Sequence, residues 1–401
     1  MSLFKKNRQT DSVKKIEVPE KHFNLRVVLL AVSLAVGLVA IGWGVYYAFS
    51  KDPGWYTVEA TPGEPSCEEE FKLQYNIGNT DMSATSEYKA LERVYNQAVV
   101  DAYRLFNNEA ENSELAKVSM HPNTEVTIDS GLYQALLQVE NAKNRSIYLA
   151  PVYVEYDRVF IAEDEVNAKL YDPNKNPEAK EFVDNVLIFT ADREMIDLEL
   201  RGQNKAYLRV HDDYLAFARE YGIEVFLDFG WMRNAFVADY LAQQLQSHGF
   251  THGNLTSIDG FVRNLDTGDL SYSYNLFNRH ENTVSVDAVL DYKGPMSFVF
   301  LRNYPLPGSD RQYFAYSDGT ITTSVVDPQT GLSSSAVNNL LGYSSQKGCA
   351  QILLELAPVY VAARLDEAQL EALAGKQTYC VWFRDGQLIC TEENAAIRTI
   401  E

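Results

Sequence analysis

An uncharged segment near the amino terminus divides the chain into two unequal parts. Residues 27–49 contain no charged side chain. In a helix that rises about 1.5 Å per residue, this length crosses a hydrocarbon layer of about 30 Å. We therefore predict one membrane-spanning helix over residues 27–49. A cleaved signal peptide is the alternative, because Ala48 and Ser50 give the small-x-small form of a cleavage site. The apolar run of such a peptide is usually shorter, at about 7–15 residues, which favours an uncleaved anchor.

Basic residues precede this segment and acidic residues follow it. Residues 1–26 hold seven Lys or Arg and three Asp or Glu, a formal charge of +4. Because the whole chain of 401 residues carries −20, the part beyond residue 26 carries −24. Lys and Arg flanking a membrane helix stay on the cytoplasmic side. We therefore predict a single-pass protein of the cell membrane with a cytoplasmic basic tail and an extracytoplasmic C-terminal part. The acidic exterior would repel phosphates, which argues against a nucleic acid partner.

The extracytoplasmic part is long enough to bury a substantial core. We predict a stem containing Gly and Pro at residues 50–80 and a domain at residues 81–401. Helical spacing predicts helices at residues 87–106 and 212–221, and residues 171–180 are rich in Pro and Asn, typical of a surface loop. Alternating apolar residues predict strands, most of them separated by turns that contain Gly, at residues 224–228, 270–274, 283–290, 297–301, 312–316 and 320–326. The predicted class is α+β, with helices covering one side of a largely antiparallel sheet.

One block, residues 227–260, combines a strand end, a glycine turn and an amphipathic helix. The turn is at Gly230, and a stop signal follows at Gly249. Met232, Phe236 and Leu245 recur at helical spacing and share one face of the helix. The unpaired N–H groups at such a helix start suit an anion such as a pyrophosphate. A structural turn without a ligand is the alternative interpretation.

The beginning of this block resembles a known signature. Residues 227–239 read LDFGWMRNAFVAD, which is similar to the LDLGGxAKGYAVD signature of the ApbE-like FAD:protein FMN transferases. Asp228, Gly230 and Asp239 stand at matching positions. Asn234 replaces the lysine of the family, and Trp231 replaces its second glycine. The resemblance therefore holds in layout, while its content is degraded.

A second block resembles the same family. Residues 318–331 read DGTITTSVVDPQTG, which is similar to DGKRYSHIIDPRTG. Asp327, Thr330 and Gly331 coincide with positions that the family keeps, whereas Ser324 replaces a histidine. The family also has a glycine pair followed by an aspartate, and Gly260 is the glycine that remains near that position.

The third block corresponds to the metal helix of the family. There a DALAT-type segment supplies an aspartate and a threonine to Mg²⁺, which steadies the pyrophosphate of FAD. Residues 349–361 read CAQILLELAPVYV, and their alignment places Gln351 at the aspartate and Glu355 at the threonine. One amide and one carboxylate make a poor Mg²⁺ site. A solvated helix face is therefore the alternative interpretation of Glu355.

The resemblance covers roughly residues 81–392. It implies an ApbE-like two-lobed fold, with helices packed on largely antiparallel sheets, and a metal site at Gln351 and Glu355. Within this region, residues 144–152 retain little of a family block that contributes to the flavin site, and we interpret them as a buried edge strand. No catalytic residue is identified. The resemblance implies cofactor-binding positions at Asp228, Gly230, Asn234, Asp239, Gly260, Asp327, Thr330 and Gly331.

If the chain is a divergent member of this family with degraded motifs, three functions are possible. The first is a catalytically degraded homologue that serves as a binding or accessory module beside an extracytoplasmic flavoprotein partner. The second is an active FAD:protein FMN transferase that attaches FMN to a Ser or Thr of an extracytoplasmic redox protein. The third is a structural or interaction protein of the cell envelope. FAD and Mg²⁺ are the expected cofactors if activity is retained, and no cofactor is expected if it is lost.

The four cysteines all follow the predicted span. Cys67, Cys349, Cys380 and Cys390 lack the spacing of zinc ligands. Cys380 and Cys390 flank a hairpin loop near residues 384–386. A three-residue loop would set the two cysteines opposite each other, and a two-residue loop would place them on opposite faces. The sequence leaves a disulfide and free thiols as equal alternatives.

Overall fold

A long apolar helix opens the part of the chain that the structure describes. The computed structural model describes residues 23–110, 112–281, 283–306 and 312–400. Helix α1 spans Phe23–Phe49. Within it, Val27–Gly44 has a mean hydropathy of 2.4, and none of these described residues is buried. By length and composition the helix is suited to a membrane span or to a signal sequence. Most of the predicted basic tail lies outside the described residues.

A second unit, separate from α1, begins at Pro53. Its described residues form ten helices: α2 (Ala84–Phe106), α3 (Glu114–Ser119), α4 (Ser130–Asn141), α5 (Ala150–Phe160), α6 (Glu165–Tyr171), α7 (Pro177–Thr190), α8 (Asp212–Tyr221), α9 (Arg233–Ser247), α10 (Cys349–Tyr360) and α11 (Glu367–Ala374). Side-chain caps fix several of the starts, since Ser83 accepts a hydrogen bond from Ser86 N and Ser113 accepts one from Ala116 N. The helices predicted at residues 87–106 and 212–221 are confirmed as α2 and α8.

Sixteen strands are present among the described residues. They are β1 (Gly54–Val58), β2 (Phe71–Ile77), β3 (Glu125–Thr127), β4 (Ile196–Arg201), β5 (Lys205–Val210), β6 (Gly253–Ser257), β7 (Phe261–Asn264), β8 (Ser271–His280), β9 (Thr283–Lys293), β10 (Met296–Arg302), β11 (Tyr313–Ala315), β12 (Ile321–Thr323), β13 (Asn339–Ser344), β14 (Tyr379–Arg384), β15 (Gln387–Cys390) and β16 (Ile397–Thr399). Eight of them form one sheet in the order β1-β2-β6-β7-β10-β13-β14-β15, and each neighbouring pair is antiparallel. The predicted α+β class with antiparallel sheets is confirmed.

The centre of the eight-stranded sheet, at β10 and β13, is buried on both faces. Along β10, Val299 and Leu301 belong to the larger core, whereas Phe298 and Phe300 belong to a second core. This alternation places the two sets on opposite faces of the strand. Helices α9 and α10 cover the first face, and the sheet of β8, β9 and β16 covers the second. Helix α9 carries Asn234 and Asp239, and α10 carries Gln351 and Glu355, so these four predicted positions lie on the helical side.

Two segments on this side differ from the prediction. The strand predicted at residues 224–228 is wrong, because the segment has no strand partner among the described residues. Its backbone donors are satisfied otherwise: Phe226 N and Leu227 N donate to Ser119 Oγ at 2.9 and 2.8 Å, and Asp228 N donates to Ile147 O at 2.9 Å. The edge strand at residues 144–152 is also wrong. A 3-10 helix at Ser146–Tyr148 leads there into α5, whose first turn contains proline.

The predicted loop and stem contain more regular structure than expected. Helix α6 ends at Tyr171 and α7 begins at Pro177, so the loop predicted at residues 171–180 is limited to residues 172–176. Residues 50–80 contain β1 and β2 of the large sheet instead of an unpaired stem. Leu73, Tyr75 and Ile77 alternate with exposed residues along β2 and are buried in the larger core. The packed domain therefore begins at β1.

The hairpin of β14 and β15 settles the geometry of the two cysteines. Arg384 pairs with Gln387, which leaves a two-residue loop, and Val381 pairs with Cys390. Cys380 and Cys390 therefore lie on opposite faces of the hairpin. Both are free thiols.

Candidate functional site

The turn before α9 is closed by the chain's own carboxylate. Asp228 Oδ1 accepts a hydrogen bond from Gly230 N at 2.9 Å, and Oδ2 accepts one from Asn108 Nδ2 at 2.6 Å. Gly230 has a φ of +53° and lies against Tyr153, so its missing side chain is required by both backbone and packing. The N–H group at Gly230 that would suit an anion is therefore already used by Asp228.

A cleft of about 480 Å³ opens in front of this turn. We call it the acidic cleft and define it by Glu109, Asp157, Asp228, Trp231, Asn234 and Asp259. It brings together three predicted positions, Asp228, Gly230 and Asn234. Ser324, which the sequence resemblance aligned with a histidine, also lines it. Aromatic rings from α5 complete the wall, namely Tyr153, Tyr156 and Phe160.

Carboxylates dominate the charge of the acidic cleft. Partial burial raises the pKa of Asp259 to about 6. Asp157 is exposed as a residue, and the desolvation of its carboxylate together with the neighbouring Asp228 raises its pKa to about 6. Burial also raises the pKa of Asp228. The Arg233 guanidinium is engaged elsewhere, because its Nη2 contacts both carboxylate oxygens of Glu70 at 2.7 and 2.6 Å. Desolvation is the largest cause of all three shifts in pKa.

Two polar atoms of the lining lack partners among the described residues. Asn234 is 3% exposed, and its Nδ2 donates to Glu70 Oε2 at 2.8 Å. Its Oδ1 accepts no hydrogen bond from the residues that the structure describes. The Nε1 donor of Trp231 is likewise without an acceptor there. Buried polar atoms are rarely left unpaired, and both of these atoms are closed off from solvent.

A second cleft, of about 680 Å³, contains three other predicted positions. Asp239, Gln351 and Glu355 line it together with residues of α4 and α11. Asp239 caps α10, since its two oxygens accept from Cys349 N at 2.8 Å and from Ala350 N at 2.9 Å. The Arg263 guanidinium lies 3.1 Å from the same carboxylate. These contacts give Asp239 a structural role at the start of α10.

The predicted metal position at Glu355 is occupied by interactions of the chain itself. Lys347 Nζ lies 2.7 Å from each carboxylate oxygen of Glu355, and Thr378 Oγ1 donates to Glu355 Oε2 at 2.6 Å. Gln351 is exposed. The described residues contain no group of three or more His, Cys, Asp or Glu side chains placed to hold a metal ion. Because Mg²⁺ requires several oxygen ligands in octahedral geometry, the donors at Gln351 and Glu355 do not fit it.

The remaining predicted positions serve turns. Asp327 accepts from Gln329 N and from Thr330 Oγ1, both at 3.0 Å, which closes the turn on itself. Gly331 has a φ of +64°, and an added Cβ would lie 2.2 Å from Val183 Cγ1 of α7. Gly260 O accepts from Phe300 N at 3.0 Å, next to Asp259. The eight cofactor positions and two metal positions are thus distributed over several places in the fold.

The sequence-based prediction missed the α5 side of the acidic cleft. Glu109 and Asp157 were not predicted, and neither were the aromatic rings beside them. The signal was present, since Tyr153, Tyr156 and Phe160 recur three and four residues apart, which is typical of one helix face. The edge-strand interpretation of the preceding residues concealed it.

The sequence matches no protein-family model, and no curated protein matches it. Solved structures do match. A crystal structure of the ApbE protein from Thermotoga maritima is 14% identical, with a TM-score of 0.56 over 86% of this chain and 97% of that chain. The flavin transferase ApbE from Vibrio cholerae is 11% identical, with a TM-score of 0.56 over 87% and 97%. The flavinyl transferase ApbE from Pseudomonas stutzeri, in its apo form, is 14% identical, with a TM-score of 0.54 over 85% and 95%. This chain therefore has an ApbE-like fold, that of the flavin transferases it resembles.

Proposed function

We propose that this chain is a membrane-anchored, extracytoplasmic homologue of the flavin transferases that does not transfer flavin. In this proposal α1 is the anchor, and the domain beyond it is a binding or accessory module beside a surface flavoprotein system. The ApbE-like fold supports the relationship to flavin transferases. The state of the acidic cleft and of the predicted metal positions supports the loss of transfer.

The ion pair of Lys347 and Glu355 is the observation that carries the proposal. Transfer of a phosphoryl-type group depends on positioning and on neutralising the charge of the phosphates, which metal ions supply. Here an ammonium group from the chain contacts both oxygens of Glu355. The side chains of Lys347 and Glu355 are 10% and 22% exposed, so water screens the pair only in part. A metal ion would have to displace this cation and would gain one carboxylate and one exposed amide.

The acidic cleft also disfavours the pyrophosphate of FAD. Two like charges 5 Å apart repel by about 3 kcal/mol at an effective dielectric constant of about 20. Glu109, Asp157, Asp228 and Asp259 all line the acidic cleft, and Asn234 has no charge where the family lysine would supply one. The retained glycines do not contradict this, because Gly230 and Gly331 are fixed by contacts with Tyr153 and Val183.

The direct test is a flavin-transfer assay on the full chain in detergent micelles. The protein is incubated with FAD, Mg²⁺ and an acceptor domain that carries a Ser or Thr target, and covalent flavin is detected by its fluorescence in a denaturing gel. The Vibrio cholerae flavin transferase serves as the positive control. We expect fluorescence in the control lane and none with this chain. A fluorescent acceptor band with this chain would establish the alternative function, an active FAD:protein FMN transferase.

The anchor is tested separately. Mass spectrometry of the protein isolated from membranes should find peptides that precede α1, and alkaline carbonate should leave the protein in the membrane pellet. A mature chain that begins near Ser50 would instead identify the segment as a cleaved signal peptide. This outcome would remove the anchor without affecting the conclusion about transfer.

A further inference from the structure

The hairpin of β11 and β12 forms a small sheet of its own. Tyr313 pairs with Thr323, and within the described part of the chain neither strand pairs with the eight-stranded sheet. After the hairpin the chain enters the larger core at Val325. Side-chain contacts, more than strand pairing, therefore hold this hairpin against the rest of the domain.

The apolar attachment of the hairpin is small. Tyr316 is 4% exposed and packs with Val159 and Ala168 in a third core, separate from the larger core and the second core. Ile321 of β12 is half-buried against the second core. An element held by few buried apolar contacts opens locally at a lower free energy than the whole domain.

One buried carboxylate receives two hydroxyl groups of the hairpin. Asp172, which follows α6, is 0% exposed. Its Oδ1 accepts from Asn174 N at 2.8 Å and so closes its own turn. Its Oδ2 accepts from the hydroxyl of Tyr316 at 2.6 Å and from Thr322 Oγ1 at 2.7 Å. We call Asp172, Tyr316 and Thr322 the latch.

Other polar contacts attach the tip and the base of the hairpin. Lys175 Nζ lies 2.9 Å from Asp318 Oδ2 at the tip, where the aspartate side chain is 52% exposed. Thr323 N donates to Ser333 Oγ at 3.0 Å at the base. An exposed ion pair contributes little, and a hydrogen bond between neutral groups is weaker than one to a carboxylate. The latch is therefore the principal polar attachment.

The base of the hairpin lies between two spaces. Ser324 Oγ donates to Gln312 Oε1 at 2.8 Å. Both residues line the acidic cleft and also a smaller space of about 40 Å³. Trp231 lines both spaces too, is 5% exposed, and has its Nε1 closed off from solvent. Movement of the hairpin base would join the two spaces beside this indole.

We propose that the β11–β12 hairpin is a lid of the acidic cleft, held shut by the latch, and that its opening joins the two spaces and exposes Trp231. The hairpin moves as a unit because its two strands pair with each other. Water then replaces the hydroxyl groups of Tyr316 and Thr322 at Asp172. The inference goes beyond the proposed function, because it does not depend on whether flavin is transferred.

Hydrogen exchange of the full chain in detergent micelles, followed by mass spectrometry, tests the latch. We expect amides of residues 312–324 to exchange before those of β10 and β13. Tyr316→Phe and Thr322→Val each remove one donor to Asp172, and each should speed this exchange about tenfold while β10 and β13 stay unchanged. Tyr272→Phe is the matched control, since it removes a phenol–carboxylate hydrogen bond of 2.5 Å from β8. It should leave the exchange of the hairpin unchanged.

Solvent access to Trp231 tests whether the hairpin covers the cleft. The chain is labelled with 5-fluorotryptophan, and the fluorine resonance of Trp231 is identified by its absence in Trp231→Phe. An uncharged paramagnetic chelate should broaden this resonance about twofold more in Tyr316→Phe than in the wild type. The resonance of Trp382, which is 2% exposed and packs in the larger core, should be unaffected.

Several results would overturn the lid. Hairpin amides that exchange only together with β10 and β13 would show that the hairpin opens only by global unfolding. Unchanged exchange in both latch variants would show that Asp172 does not hold the hairpin, and equally faster exchange everywhere would reduce the latch to a contribution to global stability. Faster hairpin exchange without greater broadening at Trp231 would show that the hairpin does not cover the cleft. Covalent flavin on an acceptor domain would overturn the proposed function and leave the lid unaffected.

Discussion

An added Cβ at Gly230 would lie 2.4 Å from Cε2 of Tyr153, inside the ring's van der Waals surface. Tyr153 is fixed from its other end, because its hydroxyl donates to Ser146 O at 2.8 Å. The turn before α9 and the aromatic wall of α5 are therefore built against each other. The chain therefore requires a glycine at this position.

Gly230→Ala should destabilise the domain by about 2–4 kcal/mol, from overpacking together with the positive φ. The matched control is Gly249→Ala, where φ is +84° but no heavy atom lies within 4 Å of the added Cβ. We expect the control to cost about 1 kcal/mol, the backbone contribution by itself. Unfolding by denaturant, monitored by tryptophan fluorescence, measures the loss of stability in both variants. Equal losses in the two variants would show that Tyr153 does not restrict the site.

The ion pair at the predicted metal positions makes a second prediction. Lys347→Met should cost about 1–3 kcal/mol, because Glu355 would keep a partly buried charge without its cation. Lys180→Met is the control, since Lys180 pairs with Asp184 on the exposed side of α7, and a surface pair contributes at most about 1 kcal/mol. The double variant Lys347→Met with Glu355→Gln should recover part of the loss. A cost no larger than that of the control would contradict the structural role of the pair.

The predicted lack of a metal site can be checked without any flavin. A ligand that binds the folded state stabilises it by RT ln(1 + [L]/Kd). We expect 5 mM Mg²⁺ to shift the melting temperature by less than about 1 °C relative to NaCl of equal ionic strength, and EDTA to have no effect. Saturable stabilisation by Mg²⁺ beyond the NaCl control would show that the donors near Glu355 bind the metal after all.

The periodic spacing of apolar residues predicted the helices and strands that bury one regular face. Helix α10 was expected from the resemblance to the family's metal helix. Helices α2, α8 and α9 and strands β9 and β10 fall close to their predicted positions, because an apolar repeat of 3.6 or 2 residues directly reflects packing. Residues 224–228 look like a strand for the same reason, yet their donors are satisfied by Ser119 Oγ and Ile147 O. Partners so distant in sequence leave no local pattern to read.

The candidate site was predictable only where its residues are neighbours in the chain. Asp228, Gly230 and Asn234 belong to one turn and helix start, and the structure places them in one cleft. Asp239 follows one turn later on the same helix but reaches α10 instead. Lys347 precedes α10 and was not considered, although it determines the environment of Glu355. The roles of Asp239 and Lys347 depend on the direction of their side chains and on contacts between residues distant in sequence. The spacing of a motif gives no information about either.

The partly buried Asp259 carboxylate should make stability depend on pH. Burial raises its pKa from 3.8 to about 6, Glu70 raises it further, and the hydrogen bond from Ser257 Oγ and the charge of Arg302 oppose the shift. Between pH 4 and 6 the folded state therefore holds a proton that the unfolded state has released. Since stability falls with rising pH wherever the folded state binds more protons, the contribution of Asp259 is favourable at acidic pH and is lost as the pH rises through about 6.

Asp259→Asn removes this titration while keeping an acceptor for Ser257. The free energy of unfolding of the variant should match that of the wild type near pH 4 and exceed it at pH 7.5 by about 1–2 kcal/mol. This gain is smaller than the full shift in pKa would give at roughly 1.4 kcal/mol per pKa unit. Unfolding measured from pH 4 to pH 8 in detergent gives the difference at each pH, with Asp81→Asn as the control for a loss of surface charge. Subtracting the wild-type curve removes the titration that both proteins share at Asp157 and Asp228. A difference that is constant with pH, or that favours the wild type at pH 7.5, would show that Asp259 is charged without strain in the folded protein.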